Sequence, residues 1–561
     1  MRAHSAFLVA SIVASGCAPS RQRIPDAWQL GGQTRANHIG PLVSVGNDGP
    51  RRFISALMDA FDSTRAMKLC AGLDEHYREP GNEGYEAGID RLRDELAAAG
   101  YGSLPGFEMR IIESSMPGPA WTPVSARLVL HGDGPEQVLH RLDRPADHDR
   151  CLLPVHAPSA AVSGPVVLDL EDVVPKSILV TKRPLREVLA GAQSRGAAAV
   201  LSSALQEICV DPSGEDRHLT AIAYESVRRG TDLPVGQISP QSYAVIRRAG
   251  AGAVLDYSAE VRWDERPLRT LVAEVIGVQR PDDVVTLVAH LDEPGACDNA
   301  SGTAGLAEAA RAVASAAQRG QFLRPRSSVA FVFGEEYDCS RVFLEDTERR
   351  PIAGFSADMT GSSEERTGAI CLLERAPDPG AVTPLPPDEH TPWGAGEVRA
   401  EELFPHGLNL ITRMALVDVG LVDRPWLTRE HPWEGGSDHD VFLARGVPGV
   451  LVWHFTDFAY HTSLDRMDHV DAGELQRTSV ALMAAALAVA DARPGDMKRY
   501  LDTLYLERRL RLNMIDQEGA GPELAALWED WFVGARHWLR RLCLGLDEQS
   551  DPLPETSRRS D

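Results

Sequence analysis

Residues 284–302 read Val284-Val285-Thr286-Leu287-Val288-Ala289-His290-Leu291-Asp292-Glu293-Pro294-Gly295-Ala296-Cys297-Asp298-Asn299-Ala300-Ser301-Gly302. The run Val284 to Ala289 is apolar and β-branched over the length of a buried strand. It stops abruptly at His290-Leu291-Asp292. A Gly-rich turn follows, and then Ser301 to Gln318, an Ala-rich stretch that predicts a helix closed by Gly320. Strand, polar turn and helix in that order are the unit of an α/β sheet, in which ligands bind beyond the carboxyl ends of the strands.

Working outward, three more apolar segments end in the same way. Ser328 to Phe333 runs into Gly334-Glu335-Glu336, Gly354 to Ala357 into Asp358, and Gly449 to Trp453 leads towards Tyr460-His461-Thr462. Each delivers His, Asp or Glu to one rim of the sheet. Taken singly these residues say little, since His290 reads equally as a core histidine and Glu335-Glu336 as a solvated face. Together they match what two divalent cations need: imidazoles for affinity, carboxylates for charge compensation, and one carboxylate able to bridge. The inventory fits zinc. A pair of ions about 3.5 to 4 Å apart can activate a water and polarise a carbonyl.

The succession H-x-D, D-N-A-S-G, G-E-E, D and Y-H-T, with Asp465 downstream, resembles the M28 metallopeptidase family, of the two-zinc aminopeptidase type. The likeness covers about Arg51 to Asp491 apart from an insert. It implies a three-layer αβα core with a mostly parallel sheet, and two Zn2+ per chain. By the same resemblance His290 and Asp358 hold one ion, Glu336 and His461 the other, and Asp298 bridges them. Glu335 is then the general base, Asp292 orients His290, and Asp438 and His439 in Gly436-Ser437-Asp438-His439 line the substrate pocket. The implied activity is release of N-terminal residues from peptides or proteins. Dipeptidase, carboxypeptidase or amidohydrolase action from the same site stays open, as does an inactive peptidase-like module that binds a partner.

The chain also departs from that pattern. Cys297 stands where the family has a small polar residue, and it reads as a small buried side chain. Tyr337-Asp338-Cys339-Ser340-Arg341 lacks the family's glycines. The Pro-rich stretch Pro377 to Pro392 interrupts the core after Asp358 and could shape the cleft, but reads more readily as an exposed loop with no substrate role.

At 561 residues more than one folded unit is expected. Residues 1–17 look like a lipoprotein-type signal, with Ala14-Ser15-Gly16 before Cys17 as the lipidation site; a tether follows over 18–50. This predicts secretion across a bacterial inner membrane and a lipid anchor in the cell envelope. Residues 51–119 open the peptidase domain, with two helical patterns, the second running from Gly84 to Ala99. The segment 120–263 is β-rich and resembles the protease-associated (PA) domain inserted in several exopeptidase families. Residues 264–494 form the catalytic part, 495–546 a helical extension, and 547–561 a polar tail.

Apolar residues make up 43% and charged residues 25%, as in a globular protein, and 57 basic against 81 acidic residues leave a net charge of -24. That charge disfavours nucleic acid and anionic membrane surfaces as partners, so a lipid would be the only membrane contact. The seven cysteines after Cys17 suggest neither a zinc ribbon nor a disulfide framework, although one bridge remains possible. Oligomeric state is left open.

Overall fold

The computed structural model describes residues 47–132, 134–250, 252–321 and 323–546. Cys17, nearly all of the tether and the tail 547–561 lie outside the described residues.

The strand at the centre of the sequence reading forms over Arg280–His290 and alternates faces as a pleated strand must. Val285, Leu287 and Ala289 enter the main core, whereas Val284 and Val288 face a smaller cluster with Cys339, Phe343 and Phe442. Eight strands make this sheet: β1 Phe107–Ser114, β2 Leu268–Val275, β3 Arg280–His290, β4 Ser327–Gly334, β5 Arg350–Ala357, β6 Ile370–Glu374, β7 Thr428–His431 and β8 Gly449–Phe455. Their spatial order is β1-β2-β4-β3-β5-β8-β6-β7. The central strands β4, β3, β5 and β8 are parallel, and β6 pairs with β7 in parallel. The joins β1/β2, β2/β4 and β8/β6 are antiparallel, so the sheet is mixed around a parallel centre.

Helices cover both faces. Ala300–Gln318 and Ala472–Ala490, rich in alanine and buried along most of their length, approach β3 closely on one side. Ser63–Asp74, Glu83–Ala99 and Leu408–Val422 complete that layer, with Arg51–Ala60 before them. Asp338–Asp346 and His439–Leu443 cover the other face. The small alanine side chains let helices and sheet approach closely, at the usual density of protein interiors.

Residues 120–264 build a second sheet of seven strands, in the order Gln137–Leu142, Ala120–His131, Val254–Asp264, Ala160–Val167, Ile178–Thr181, Ala199–Ser202 and Val235–Gln237. It has a hydrophobic core of its own, including Leu128, Leu179, Val200 and Tyr257. All seven cysteines of the described region are buried and free, so none of them forms the bridge left possible by the sequence. No helix among the described residues is long and apolar enough to cross a membrane.

The extension forms two helices, Met497–Glu518 and Pro522–Leu544, whose Tyr500, Leu504, Trp528 and Leu539 join the main core. Buried ion pairs fasten them. Arg413 on Leu408–Val422 donates to Glu430 of β7 at 2.7 Å and to Glu507 of the extension at 2.9 and 3.1 Å. Arg499 binds Asp418 through two bonds of 2.8 and 2.7 Å. Removing one partner of a buried pair leaves charge without compensation, at a cost of about 3–5 kcal/mol. Arg413→Met is therefore expected to lower the urea midpoint by an amount equivalent to that loss, and an unchanged midpoint would mean that this pair does not fasten the extension.

Candidate metal centre and its cavity

The carboxyl ends of β3, β4 and β5 and the loop after β8 converge on a cavity of about 140 Å³. His290, Glu293, Asp298, Glu336, Asp358 and His461 make its polar end. His290 Nε2 lies 3.3 Å from Asp358 Oδ1 and 3.5 Å from Asp298 Oδ1. The other oxygen of Asp298, Oδ2, lies 3.2 Å from His461 Nε2, which is 2.9 Å from Glu293 Oε2. Two ligand triads result, His290-Asp298-Asp358 and Glu293-Asp298-His461, and Asp298 belongs to both.

Their chemistry fits divalent cations. A tetrahedral zinc with bonds of about 2.0–2.2 Å spaces its donors roughly 3.3–3.6 Å apart, the separation seen around His290. His290 Nε2, Asp298 Oδ1 and Asp358 Oδ1 are all buried without a hydrogen-bond partner. Buried polar atoms are normally satisfied, so orphaned donors that converge on one point call for an ion. Burial would discharge the imidazoles. Yet Asp358 and Glu336 beside His290, and Glu293 and Asp298 beside His461, hold both well above the ordinary histidine value. Burial pushes Asp298 well above the carboxylate range, with Glu293 adding to it, and does the same to Glu336 against the pull of His290. For Glu293 burial is outweighed by His461, which brings the carboxyl down to about 2.

The motif residues around Asp298 hold it in place. Asp465 accepts the backbone N–H groups of Cys297 at 2.7 Å and Asp298 at 2.9 Å. Asn299 caps the following helix at Gly302 N, accepts from Met359 N at 3.1 Å and donates to Ala357 O at 3.0 Å, which ties this turn to the end of β5 beside Asp358. Thr303 Oγ1 donates to the carbonyl of His290 at 2.7 Å. Gly295 is required by close approach: a Cβ there would stand 2.0 Å from Asp465 Oδ2. Cys297 is fully buried, as its reading as a small core side chain expects.

Glu336, Glu335 and Asp292 lie around the two triads. Glu336 lines the cavity but belongs to neither triad; Glu293, which sequence reasoning passed over, does. Its only sequence signal was its place one residue beyond Asp292 at a strand end. Glu335 does not line the cavity; its Oε2 accepts from Asp338 N at 3.1 Å, and burial with Asp292, Asp338 and Asp438 nearby pushes it up to about 9. Asp292 Oδ1 lies 3.6 Å from His290 Nδ1 and accepts from Glu336 N at 3.0 Å, so it touches both strand ends.

Asp438 and His439 differ from the expected pocket role, because both are buried under the cavity wall. Asp438 accepts from Tyr337 N at 3.1 Å and Ser340 Oγ at 2.6 Å, fixing the turn after the paired glutamates. His439 pairs with Glu374 at 2.8 Å. Of the same tetrapeptide, Gly436 lines the cavity and Ser437 Oγ donates to Asp358 Oδ2 at 3.0 Å.

The second sheet unit reaches the centre as well. Tyr224 sets its ring edge against His461, with centroids 5.4 Å apart, and its backbone N–H donates to the His461 carbonyl at 2.7 Å. Its hydroxyl donates to Glu79 at 2.6 Å. Seven described non-glycine residues have φ in the left-handed region, and four of them, Glu293, Tyr337, Met359 and His461, line the cavity. Such strain collects where a site must point side chains inward against backbone preference.

Residues 270–377 and 408–486 match the profile of Peptidase family M28. Among solved structures the chain is similar to the Peptidase M28 precursor from Shewanella amazonensis SB2B, with a TM-score of 0.53 and 16% identity, over 79% of this chain and 96% of that one. It is also similar to a zinc aminopeptidase from Bacillus subtilis, with a TM-score of 0.50 and 15% identity, over 76% of this chain and 94% of that one. These likenesses show a shared fold. A search of curated proteins gives no match.

Partners that orient ligands typically contribute about 10–100-fold in metal affinity. Asp465→Ala should weaken zinc binding by that amount in a chelator competition while far-UV circular dichroism stays unchanged; unaltered affinity would mean that Asp298 keeps its place without Asp465.

Proposed function

We propose that this chain, which belongs to Peptidase family M28 through residues 270–377 and 408–486, is a zinc-dependent exopeptidase that removes residues from the N-terminus of peptides. One observation supports this direction above the others. Among the described residues no Arg or Lys lines the cavity, whereas four carboxylates do. A carboxypeptidase or dipeptidase needs a cation to receive the terminal carboxylate, as a charge-assisted hydrogen bond. A substrate's free N-terminus makes no such demand, and the carboxylates are left to the ions. The solved zinc aminopeptidase with this fold is in keeping with that reading.

His290, Asp298 and Asp358 would hold one ion, and Asp298, His461 and Glu293 the other, with Glu336 on the same wall as the further carboxylate that the family resemblance assigns to the second ion. Bound there, the ions supply Lewis acidity and a water acidified enough to act near neutral pH. Asp292, 3.6 Å from Nδ1 of His290, would orient that ring. Glu335 takes a proton in this reading and returns it to the departing amine. Its place at the end of β4, next to Glu336 and in the order the family resemblance assigns to the base, supports that role. Cys17 and the apolar run before it support secretion with a lipid anchor. The separate core of residues 120–264 supports a PA-type insert beside the site.

The test is to incubate zinc-loaded full-length protein with peptides that are free, N-acetylated or C-amidated, and to follow the products by mass spectrometry. Stepwise loss from free N-termini is expected, blocked by acetylation and by a chelator and indifferent to amidation. Trimming from the other end would replace this reading with a carboxypeptidase, and no trimming by a zinc-loaded sample would favour a binding module. In the same assay Glu335→Gln should keep its zinc and lose about 100-fold or more in kcat. If Glu336→Gln does this instead, the two glutamates exchange roles.

A further inference from the structure

The segment between the two parts matched by the family, residues 378–407, enters the cavity. Its Trp393 lines the cavity together with Met359, Leu451, Trp453 and Tyr460. Trp393 meets Tyr460 edge-on with centroids 5.7 Å apart, and Tyr460 stacks on His461 at 3.9 Å. Gly436, with φ 104°, lies against the indole: a Cβ there would come within 3.0 Å of Trp393 Nε1. Trp393 is still 40% exposed, which leaves surface for a further apolar group to cover.

The segment is fastened on both sides of the tryptophan. Before it, Asp388 accepts from Arg375 of the core at 3.0 Å and from Arg511 of the C-terminal helix Met497–Glu518. Thr391 donates through its backbone and, at 2.7 Å, its hydroxyl to the buried Glu434. After it, Pro405 packs against Gly534, and the His406 ring stands 5.3 Å from Trp531, both on Pro522–Leu544. The nearby group Glu374-His431-Glu434 braces the segment and does not serve as a cation site. His431 Nε2 already accepts from Trp453 Nε1 at 3.0 Å, and its Nδ1 donates to Pro432 O at 2.8 Å.

We propose that residues 378–407 are a specificity strap, held by the C-terminal helices, whose Trp393 makes the site select peptides with a large apolar side chain at the N-terminal residue. This rests on the aminopeptidase reading. Of the two sequence readings of this stretch the proposal takes the one that shapes the cleft, because an aromatic wall without basic groups has no partner for an acidic side chain and offers a flat apolar one a contact surface.

The experiment measures kcat/KM for peptides that differ only in their first residue, Phe, Leu, Ala or Gly, with zinc-loaded protein, Trp393→Ala, Trp393→Phe and Asp388→Asn. The protein should favour Phe and Leu over Ala and Gly. Trp393→Ala should erode that preference by about 10-fold or more, a range open to an apolar pocket, with zinc content unchanged and the rates on Phe and Leu peptides falling further than those on Ala and Gly. Trp393→Phe should fall between, and Asp388→Asn should erode the preference in part. An unchanged preference in Trp393→Ala, or an equal fall for every peptide, would overturn the proposal. Calorimetric binding of leucinamide and glycinamide separates the two readings. If no peptide is cleaved yet leucinamide binds more tightly and Trp393→Ala abolishes the difference, the strap stands and the aminopeptidase reading falls. Equal binding of both amides would overturn the strap.

Discussion

Four carboxylates and two imidazoles occupy the wall of one small, largely buried cavity, and like charges at that density must either take up protons or be held by cations. The rest of the site answers to this constraint. Asp298 can face both imidazoles because Asp465 grips two consecutive backbone N–H groups of its turn. Asn299 then links that turn to β5, so that the ends of two strands move as one body. Left-handed backbone at Glu293, Tyr337, Met359 and His461 turns four side chains inward, and the closely packed sheet beneath supports the conformations.

The parts outside the family's matched segments are built into the same body. Arg150 of the second sheet unit is buried and meets Asp74 at 2.9 Å, and Arg466, one residue beyond Asp465, binds the same carboxylate at 3.1 Å. Arg150 also donates to Pro294 in the turn that carries Asp298. Arg78, buried, donates to the carbonyls of Leu291 at 2.9 Å and Gly295 at 2.7 Å. Guanidinium groups suit this work because one planar fork can satisfy several acceptors in fixed directions. At the opposite end the C-terminal helices brace the strap through Asp388, so that addition too is coupled to the cavity.

Much was legible in order and period. The strand Val284 to Ala289, the helix after it, and the strands leading to Glu335, Asp358 and His461 follow from apolar runs ended by polar residues, and each forms within a few residues of its expected limits. The helix from Gly84 to Ala99 forms as Glu83–Ala99 and ends at Gly100 in the left-handed region, where glycine costs least. β6 and β7 passed unnoticed because they are five and four residues long, too short for alternation to register. Helix Leu408–Val422, buried nearly all round, shows no polar face to mark it out.

What the sequence by itself determined was the kind of chemistry: which strand ends carry His, Asp and Glu, and in what order, since those are local consequences of where an apolar run stops. What only the tertiary structure decided was which of those groups meet. Glu293 joins His461 across 168 residues, and Asp438 and His439 go beneath the wall instead of onto it. Trp393 reaches the cavity from a proline-rich loop. Each of these depends on a backbone turn or a packed neighbour far away in the chain, and no local pattern of residue types encodes such a distance.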